Sequence, residues 1–413
     1  MAPLRLSGLR SSALPCLASA RSWASSVSLT VRAATHLLVE RALPAGRRDS
    51  TRWVFGTRGG EGFVDNAKYL FLHVANERPE IRAVWLSKDK ATVATLRARG
   101  YEAFLPTSPT GMYNSLRAGV VVVSHGVADV NLACSGGADI VQLWHGIPLK
   151  SIAWDAELSD RPAPERLARA SLLDRTDVVS ITASTLVEPF SSGFRIDSDR
   201  LVVSGYPRLD ALLDPVDDED IGVDAAAALE ARRTGADRPV IGFLPTFRDS
   251  AADRASTVYD FEALAAFLAE RDALALVKFH PNESVELDRE HPRLVQVDPE
   301  TDPYPLLRYV DVLVTDYSSV AFDFLLLDRP IVYFPYDLST YREERGFYFD
   351  YESVTPGLRA TDFEGLLDAV GTALDDDAYT ARRRAVRERF FDRVDSGHAE
   401  RAYRAIVAHL DGQ

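Results

Sequence analysis

Residues 311–351 constrain the fold of this chain more than any other segment. Residues 312–315 (VLVT) form a short apolar run, rich in β-branched side chains, that is typical of a buried parallel strand. The polar residues 316–319 follow, then an apolar segment over 320–327 that suits a helix, and a second apolar run over 331–334. Strand, tight turn, helix and strand make a βαβ unit. The segment therefore predicts a parallel sheet covered by helices.

The turn of this unit carries two hydroxyl groups. Ser318 and Ser319 stand where the predicted helix begins, directly after Asp316 and Tyr317. Free backbone N–H groups and the helix dipole favour an anion at such a position. Two interpretations are open here, because a serine at this point is either a simple N-cap or part of a phosphate-binding site.

The alternation of strand and helix continues through most of the chain. Residues 53–204 and 240–334 each consist of repeated strand–helix units, which predict parallel sheets with helices on both faces. An acidic run at 214–220 and a turn-like stretch at 235–239 indicate a domain boundary between them. The predicted fold class is α/β, with two doubly wound Rossmann-type domains that face a central cleft. The expected divisions are a basic N-terminal segment (1–50), an N-terminal Rossmann-like domain (51–210), a C-terminal Rossmann-like domain (236–395) and a C-terminal helix able to cross back (396–413).

Polar turns follow the predicted strands in both halves of the chain. Ligands of doubly wound sheets bind at the carboxyl ends of the strands, so turns at these ends are the candidates for a site. Because they should all lie at the cleft, they predict one shared site. These turns are QLWHGIPLK (142–150), GYPRLD (205–210), LPTFRD (244–249), KFHP (278–281) and TDYSS (315–319).

Four side chains in these turns have chemistry suited to phosphate. His145 and His280 carry imidazoles, which titrate near neutrality and act as a general base or hold a phosphate as a cation. Arg208 and Arg248 offer planar forks that match phosphate oxygens. Gly146 lets the backbone approach a ligand closely.

Each of these residues also has a structural interpretation. A histidine at a strand end is often a hydrogen-bonding core residue, and Arg208 with Asp210, or Arg248 with Asp249, can form ordinary surface ion pairs. The pair His125-Gly126 is a near copy of the His145 turn, and we interpret it as mainly structural. The sequence contains neither GxGxxG nor GxxxxGK[ST], and no Cys/His cluster has metal-binding spacing, so we predict no protein-bound metal.

The first 48 residues differ in composition from the rest of the chain. They carry a net charge of +6, whereas the whole chain has −14 and the remainder −20. Three interpretations remain open: a targeting peptide, extra residues from a mis-set start codon, or a basic amphipathic surface that lies on an anionic membrane. The acidic remainder argues against nucleic acid as a partner. No run of eighteen apolar residues exists, and two cysteines fit a reducing compartment.

Taken together, the turns resemble those of the CDP-glycerol glycerophosphotransferase family, the polymerases and primases of teichoic-acid-like polyol phosphates. The resemblance covers residues 142–357 and rests on motifs that occur in the family's order. One departure is Ile147, where many members carry threonine. The matching motifs are WHGIPLK, GYPRLD, PTFRD, KFHP, TDYSSVAFDFLLLDRPIVYFPYD and YREERGFYFDY.

The resemblance implies a two-domain GT-B fold, with the acceptor on the first domain and the CDP group on the second. It implies that His145 is the general base on the acceptor and that His280 stabilises charge on the bridging phosphates. Asp316 would shape the phosphate-binding loop. The residues implied to hold the pyrophosphate are Thr246, Arg248, Ser318 and Ser319.

The resemblance thus implies a transferase that moves a polyol phosphate from a CDP-activated donor to an acceptor hydroxyl and releases CMP. The expected acceptor is lipid- or glycan-linked, and the expected location is cytoplasmic, peripheral on the inner face of the cell membrane. No cofactor is obligatory in this scheme, although Mg²⁺ can accompany the nucleotide. The alternatives are a GT-B glycosyltransferase that uses a nucleotide sugar and a non-catalytic nucleotide-binding membrane scaffold.

Overall fold

The structure, a computed structural model, describes residues 29–42, 48–235, 237–248, 255–281, 283, 287 and 291–412. Residues 1–28 and Asp249 lie outside it, so the targeting-peptide interpretation and the proposed Arg248–Asp249 pair concern residues that are not described. Residues 29–42 form a helix, α1, whose His36 and Ala33 are buried against the first domain.

The first domain is built around a parallel sheet. Within the described residues it has seven strands in the order β3-β2-β1-β4-β5-β6-β7. Its central strand β4 (AGVVVV) is buried along its whole length, as expected for a strand covered by helices on both faces. The strands are β1 (Asp49–Gly56), β2 (Arg82–Leu86), β3 (Ala103–Phe104), β4 (Ala118–Val123), β5 (Asp139–Gln142), β6 (Val178–Ile181) and β7 (Leu201–Val203).

The second domain repeats the design. Its parallel sheet has six strands in the described residues, in the order β10-β9-β8-β11-β12-β13. Both sheets reverse their winding at a switch point, between β1 and β4 in the first and between β8 and β11 in the second. The strands are β8 (Val240–Phe243), β9 (Leu274–Val277), β10 (Leu294–Gln296), β11 (Val312–Thr315), β12 (Ile331–Tyr333) and β13 (Leu358–Arg359). This topology confirms the predicted doubly wound α/β class.

The helices cover both sheets, and aspartate side chains cap several of them. Asp89, Asp224, Asp260 and Asp362 each accept N–H groups in the first turn of the helix that follows. After α1 the helices are α2 (Asp65–Glu77), α3 (Lys90–Ala98), α4 (Pro109–Arg117), α5 (Ala163–Asp174), α6 (Val187–Phe194), α7 (Arg208–Leu213), α8 (Ala225–Thr234), α9 (Ala255–Val258), α10 (Phe261–Glu270), α11 (Tyr304–Leu307), α12 (Val320–Phe324), α13 (Leu338–Arg345), α14 (Tyr351–Val354), α15 (Phe363–Asp375), α16 (Thr380–Phe390) and α17 (His398–Asp411).

Two helices differ from the sequence prediction. The helix expected over 320–327 is α12 followed by a 3₁₀ turn, Leu325–Leu327, and this turn ends at Asp328, which has a left-handed φ of 53°. GYPRLD, which we predicted as a turn, starts α7 at Arg208.

The C-terminal helix α17 lies on the first domain, against α2 and α7. The carboxylate of Asp210 accepts the backbone N–H groups of Gly397, His398 and Ala399, each at 2.8 Å, and so caps α17 from the first domain. The two domains are also joined by a fully buried ion pair, in which Lys68 Nζ lies 2.8 Å from Asp302 Oδ2. The Lys68–Asp302 pair therefore links the first domain to the second.

Candidate active site

The carboxyl ends of the two sheets face each other across two adjoining cavities. The larger, which we call the His145 cavity, has a volume of about 460 Å³ and is lined by His145, Gly146, Lys150 and Thr246 among others. The smaller, the Lys278 cavity, has a volume of about 240 Å³. The residues that line both cavities are Pro245, His280, Ser318 and Ser319.

The turn that carries His145 is held in an unusual backbone conformation. Trp144 has a left-handed φ of 61°, which costs energy for a residue with a side chain, and Gly146 has a φ of 148°. Asn66 donates a hydrogen bond to the Trp144 carbonyl (2.9 Å), and the Tyr206 hydroxyl donates one to the Gly146 carbonyl (3.2 Å). These buried donors hold the turn in place.

Gly146 lies directly against the second domain. A Cβ atom added at Gly146 would lie 2.2 Å from Ser319 Oγ and 2.6 Å from Ser319 Cβ. Only glycine fits at such a distance, because real Cβ atoms keep at least about 3 Å from other heavy atoms. The predicted base, after β5, and the predicted phosphate-binding serine, after β11, are therefore brought together.

His145 carries a neutral ring. Burial, followed by the charge of His125, lowers the pKa of His145 to about 3. Its Nδ1 lies 3.4 Å from the Ser124 carbonyl oxygen, so Nδ1 carries the proton and Nε2 keeps the lone pair. An uncharged imidazole whose Nε2 has no partner among the described residues has the form that a general base requires.

His125 belongs to this site, although the sequence interpretation left it as structural. Its ring stacks on His145 with centroids 4.3 Å apart and planes 7° apart. Nδ1 of His125 accepts the Arg58 N–H at 3.3 Å, which leaves Nε2 facing Asp65 Oδ2 at 3.9 Å. The repeated His-Gly pair after β4 and β5 was the signal in the sequence.

A single carboxylate organises the loop that holds His125. Asp129 is 1% exposed, and its Oδ2 accepts the backbone N–H groups of Ser124, His125 and Gly126 at 2.8–3.2 Å. Its Oδ1 accepts the N–H of Gly59 at 2.7 Å, which ties this loop to the one after β1. The loops at the switch point of the first sheet are thus fixed together.

Arg208 is buried between two carboxylates and does not point its fork into open space. Nη1 lies 2.7 Å from Asp65 Oδ1, and Nη2 lies 2.6 Å from Asp323 Oδ2, on the second domain. The side chain is 3% exposed. The suggested surface pair with Asp210 is wrong, because Asp210 caps α17 instead. Arg208 lines the Lys278 cavity as part of a tie between the domains.

Arg248 is placed in the same manner. Its guanidinium lies 2.8 Å from Asp316 Oδ2 and 2.5 Å from Asp337 Oδ2, under the floor of the site. Asp316 Oδ1 accepts the N–H groups of Thr246 (2.9 Å) and Tyr317 (2.6 Å). Asp316 therefore shapes both phosphate-side loops, and Arg248 holds Asp316 in place.

The hydroxyls expected to hold phosphate lie at the cavities. Ser318 Oγ accepts only a long hydrogen bond, 3.4 Å, from Val320 N–H, and Ser319 makes no side-chain cap bond to the described residues. The simple-cap interpretation is weak for both serines, since neither hydroxyl is committed to the helix. Within the described part of the chain, Thr246 Oγ1 is buried without a hydrogen-bond partner.

His280 and Lys278 bring positive charge to the Lys278 cavity when they are protonated. Burial, Lys278 and Arg58 each lower the pKa of His280, so its ring is neutral near pH 7. Burial and Arg58 lower the pKa of Lys278 to about 8, while Nζ donates to the Pro299 carbonyl at 2.7 Å. A phosphate next to these groups would raise both pKa values.

The cleft offers no ready metal site among the described residues. The carboxylates of Asp65 and Asp316, which lie near the cavities, already form ion pairs with arginines. A possible ligand group, formed by Asp139, Asp177 and His409, lies at the amino ends of β5 and β6, away from the cleft. In the described residues no helix has the length and apolarity needed to span a membrane.

Known proteins share much of this sequence. The chain is 27% identical over 375 residues to a teichoic acid poly(glycerol phosphate) polymerase of Staphylococcus epidermidis, a match that covers 87% of this chain and 50% of the relative. It is 31% identical over 242 residues to a teichoic acid glycerol-phosphate transferase of Staphylococcus aureus, covering 56% of this chain and 61% of the relative. The chain thus spans about half of the first relative and 61% of the second.

Solved structures share the fold. A variant of the wall teichoic acid polymerase TagF, soaked with CDPG for 30 minutes, superposes with a TM-score of 0.72 at 23% identity and covers 96% of this chain and 99% of that one. This likeness confirms the expected two-domain GT-B arrangement. The profile of the family described as "CDP-Glycerol:Poly(glycerophosphate) glycerophosphotransferase" matches residues 39–408. The resemblance seen in the motifs is confirmed over most of the chain, which belongs to the CDP-glycerol:poly(glycerophosphate) glycerophosphotransferase family.

Proposed function

We propose that this chain transfers glycerol phosphate, or a related polyol phosphate, from a CDP-activated donor to an acceptor hydroxyl and releases CMP. The acceptor is a lipid- or glycan-linked molecule of the cell envelope. One observation carries the proposal. The neutral imidazole of His145, on the first domain, lines the same cavity as Ser319 on the second, and Ser319 also lines the adjoining cavity.

In this scheme His145 Nε2 takes the proton of the acceptor hydroxyl. The acceptor oxygen then forms a bond to the β-phosphorus of the donor, and the bond between that phosphorus and the bridging oxygen breaks, so that CMP leaves with the electron pair. A well-placed base contributes about 10²–10⁴-fold to such a step. Phosphoryl transfer otherwise depends on positioning and on neutralising charge.

The donor phosphates lie against the hydroxyls of Thr246, Ser318 and Ser319 and against His280. Thr246 Oγ1 is a buried hydroxyl with no partner in the described residues, and both serine hydroxyls reach the two cavities. His280 gains a proton as the phosphate raises its pKa, and it then stabilises negative charge on the bridging oxygens.

Arg208 and Arg248 act on the site through other residues. Their forks are filled by carboxylates, so we assign them the positioning of the domain interface and of the Asp316 loop, respectively. Any Mg²⁺ would accompany the nucleotide, since the carboxylates near the cavities are already paired. No step of the scheme depends on it.

The test is incubation of the purified protein with a glycerol-phosphate acceptor and, separately, CDP-glycerol, CDP-ribitol and UDP-sugars. We expect CMP release from a CDP-polyol, lowered about 10²-fold or more in His145→Asn and in His280→Asn. His291→Asn is the matched control, because His291 pairs with Glu262 (3.1 Å) away from the cleft. Activity that survives both site substitutions would show that the catalytic assignment is wrong.

The same assay separates the alternatives. Release of UDP without CMP would identify a glycosyltransferase that uses a nucleotide sugar. A scaffold would show no turnover of either kind of donor, and the two histidine variants would keep full function in cells.

We also propose that the protein lies on the cytoplasmic face of the cell membrane. Helix α1 packs on the first domain through Ala33 and His36, while Val31 and Leu38 are 59% and 64% exposed. Exposed apolar residues on a helix of a basic segment suit an anionic lipid surface. Val31→Glu with Leu38→Glu should release the protein from anionic liposomes, whereas Leu229→Glu, at a similarly exposed site on α8, should not. Unchanged sedimentation of the double variant would exclude this face of α1 as the anchor.

A further inference from the structure

The cleft holds less available positive charge than its arginines suggest. Arg208 and Arg248 each lie between two carboxylates, at distances of 2.5–2.8 Å. Each cluster therefore has a net charge of −1 when all its groups are ionised. A phosphate that enters this cleft is repelled by these clusters unless another cation is close to it.

Lys150 is such a cation. It closes the turn that begins with His145 and lines the His145 cavity together with Thr246, Ser319 and Arg345. Among the residues that the structure describes, none accepts a hydrogen bond or forms an ion pair with Lys150 Nζ. The ammonium instead lies over the ring of Tyr341, 5.2 Å from its centroid. Its three N–H donors are thus available to a ligand.

The surroundings of Lys150 favour an anion. Burial lowers the pKa of Lys150 to about 8; Asp316 opposes this, while Arg345 and Arg248 lower it further. The positive charge of such a lysine is only partly balanced by neighbouring negative charge. An added phosphate would raise its pKa and keep the side chain fully protonated. Asp316 lies in the turn after β11, Arg345 at the end of α13 and Arg248 in the loop after β8.

The backbone around Lys150 is fixed rather than mobile. Lys150 pairs with Phe347 in an isolated antiparallel bridge between the two domains. Tyr348 N–H donates to the Leu149 carbonyl at 2.9 Å, next to this bridge. The ammonium is therefore presented at a set distance from the second domain, as a preorganised binding group should be.

The position of Lys150 selects the acceptor. An in-line transfer places the attacking oxygen and the leaving group on opposite sides of the phosphorus. His145 lines only the cavity that contains Lys150, whereas Lys278 lines only the other, and Ser319 and His280 lie between. The CMP group then fits the Lys278 cavity, and the acceptor enters from the side of Lys150.

We propose that Lys150 binds a phosphate group of the acceptor, a phosphate monoester or diester, while the acceptor hydroxyl faces His145. This inference rests on the proposed function for the identity of the reaction. The phosphate-binding site itself does not depend on turnover, so it is tested separately.

The binding test uses trace acetylation of lysines followed by mass spectrometry. The chain has only five lysines, Lys68, Lys88, Lys90, Lys150 and Lys278, so each can be followed. With CDP already saturating, sn-glycerol 3-phosphate should slow the acetylation of Lys150 several-fold, and glycerol should not. The rates at Lys88 and Lys90 are the internal reference, because both side chains are exposed.

The kinetic test compares sn-glycerol 3-phosphate with glycerol as the acceptor, with CDP-glycerol as the donor. Lys150→Met should raise the KM for the phosphate-bearing acceptor about tenfold or more, since a charge-assisted contact is lost. The KM for CDP-glycerol should stay within about twofold, and Lys150→Arg should recover part of the loss. Lys90→Met is the matched control on the same domain.

Three results would overturn the inference. They are equal slowing of Lys150 acetylation by glycerol, slowing of that acetylation by CDP alone, and a rise only in the KM for CDP-glycerol in Lys150→Met. The last two would assign Lys150 to the donor. If the wild-type protein releases no CMP but glycerol 3-phosphate still protects Lys150, the proposed reaction fails and the phosphate site stands.

Discussion

Substitution of Arg208 by methionine separates two roles for this residue. The motif GYPRLD suggests a fork for phosphate, whereas the structure buries Arg208 between Asp65 and Asp323. Met has a similar length but no charge. If Arg208 is a tie between the domains, Arg208→Met lowers stability; if it is a phosphate ligand, the variant keeps its stability and loses affinity for the donor.

The size of the stability loss depends on the buried carboxylate of Asp323, which Arg208→Met leaves without its cation. Asp323 is fully buried, and Tyr304 O–H (2.6 Å) becomes its remaining side-chain donor, while Asp323 Oδ1 already lacks a partner among the described residues. Removal of one member of a buried ion pair costs about 3–5 kcal/mol. At about 2–4 °C per kcal/mol for domains of this size, the melting temperature should fall by about 10 °C.

The loss should also depend on pH. Burial raises the pKa of Asp323, and Arg208 opposes that rise, so the pKa is higher still in Arg208→Met. A carboxyl group with a raised pKa binds more protons in the folded than in the unfolded state. The stability that this carboxyl group contributes is therefore present below its pKa in the unfolded chain, about 4. That stability is lost as the pH rises through the pKa of the group in the folded protein. We expect a larger deficit at pH 8 than at pH 5.

The assay is thermal unfolding at the two pH values. It compares the wild type, Arg208→Met, and the double variant that combines Arg208→Met with Asp323→Asn. The second substitution should recover part of the stability, because it removes the unpaired charge. Arg82→Met is the matched control: Arg82 pairs with Glu102 at 2.7 Å, but both are 40% or more exposed, so the cost should be below about 1 kcal/mol. An unchanged melting temperature of Arg208→Met would refute the tie between domains.

Further predictions concern the two His-Gly turns. Because burial lowers the pKa of His145 to about 3, its imidazole NMR signals should stay in the neutral position from pH 8 to pH 5; a titration near 6.5 would contradict this. Gly146→Ala should lower CMP release about 100-fold, because its Cβ would lie 2.2 Å from Ser319 Oγ. The control is Gly126→Ala, which has a similar φ of 152° but open space around it, and it should lower CMP release far less. His125→Phe keeps a ring stacked on His145 and should retain activity within about tenfold. His125→Ala should lose more activity, because His145 can then shift. Equal activities of the two variants would argue against a role of the stack.

Local patterns predicted most of the fold. The apolar run over 312–315 is the buried strand β11, as predicted, and the alternation of strand and helix over 53–204 and 240–334 forms the two parallel sheets. These elements are set by residues close in sequence, so a sequence reading captures them. The start of α7 at Arg208 was missed, because a motif with glycine and proline has the local signature of a turn.

The composition of the site was harder to predict than its location. Strand ends placed His145, His280 and Ser319 at one cleft, which follows from the parallel topology alone. The partners of Arg208 are 143 and 115 residues away along the chain, and no local pattern indicates them. The neighbouring acid Asp210 was the natural guess from sequence. Tertiary packing decides which carboxylate a buried arginine meets, and it therefore decides whether that arginine can meet a phosphate.

The distribution of charge in the cleft determines which residues can bind phosphate. Arg208 and Arg248 are neutralised by carboxylates and hold the structure, while the lowered pKa values of His145 and His280 keep these two rings neutral before a ligand arrives. Lys150 and Lys278, whose pKa values are lowered to about 8, lie in the two separate cavities. A phosphate on each side would restore the charge of its own lysine. Each cavity thus holds one lysine, so a donor phosphate and an acceptor phosphate would each meet a separate cation.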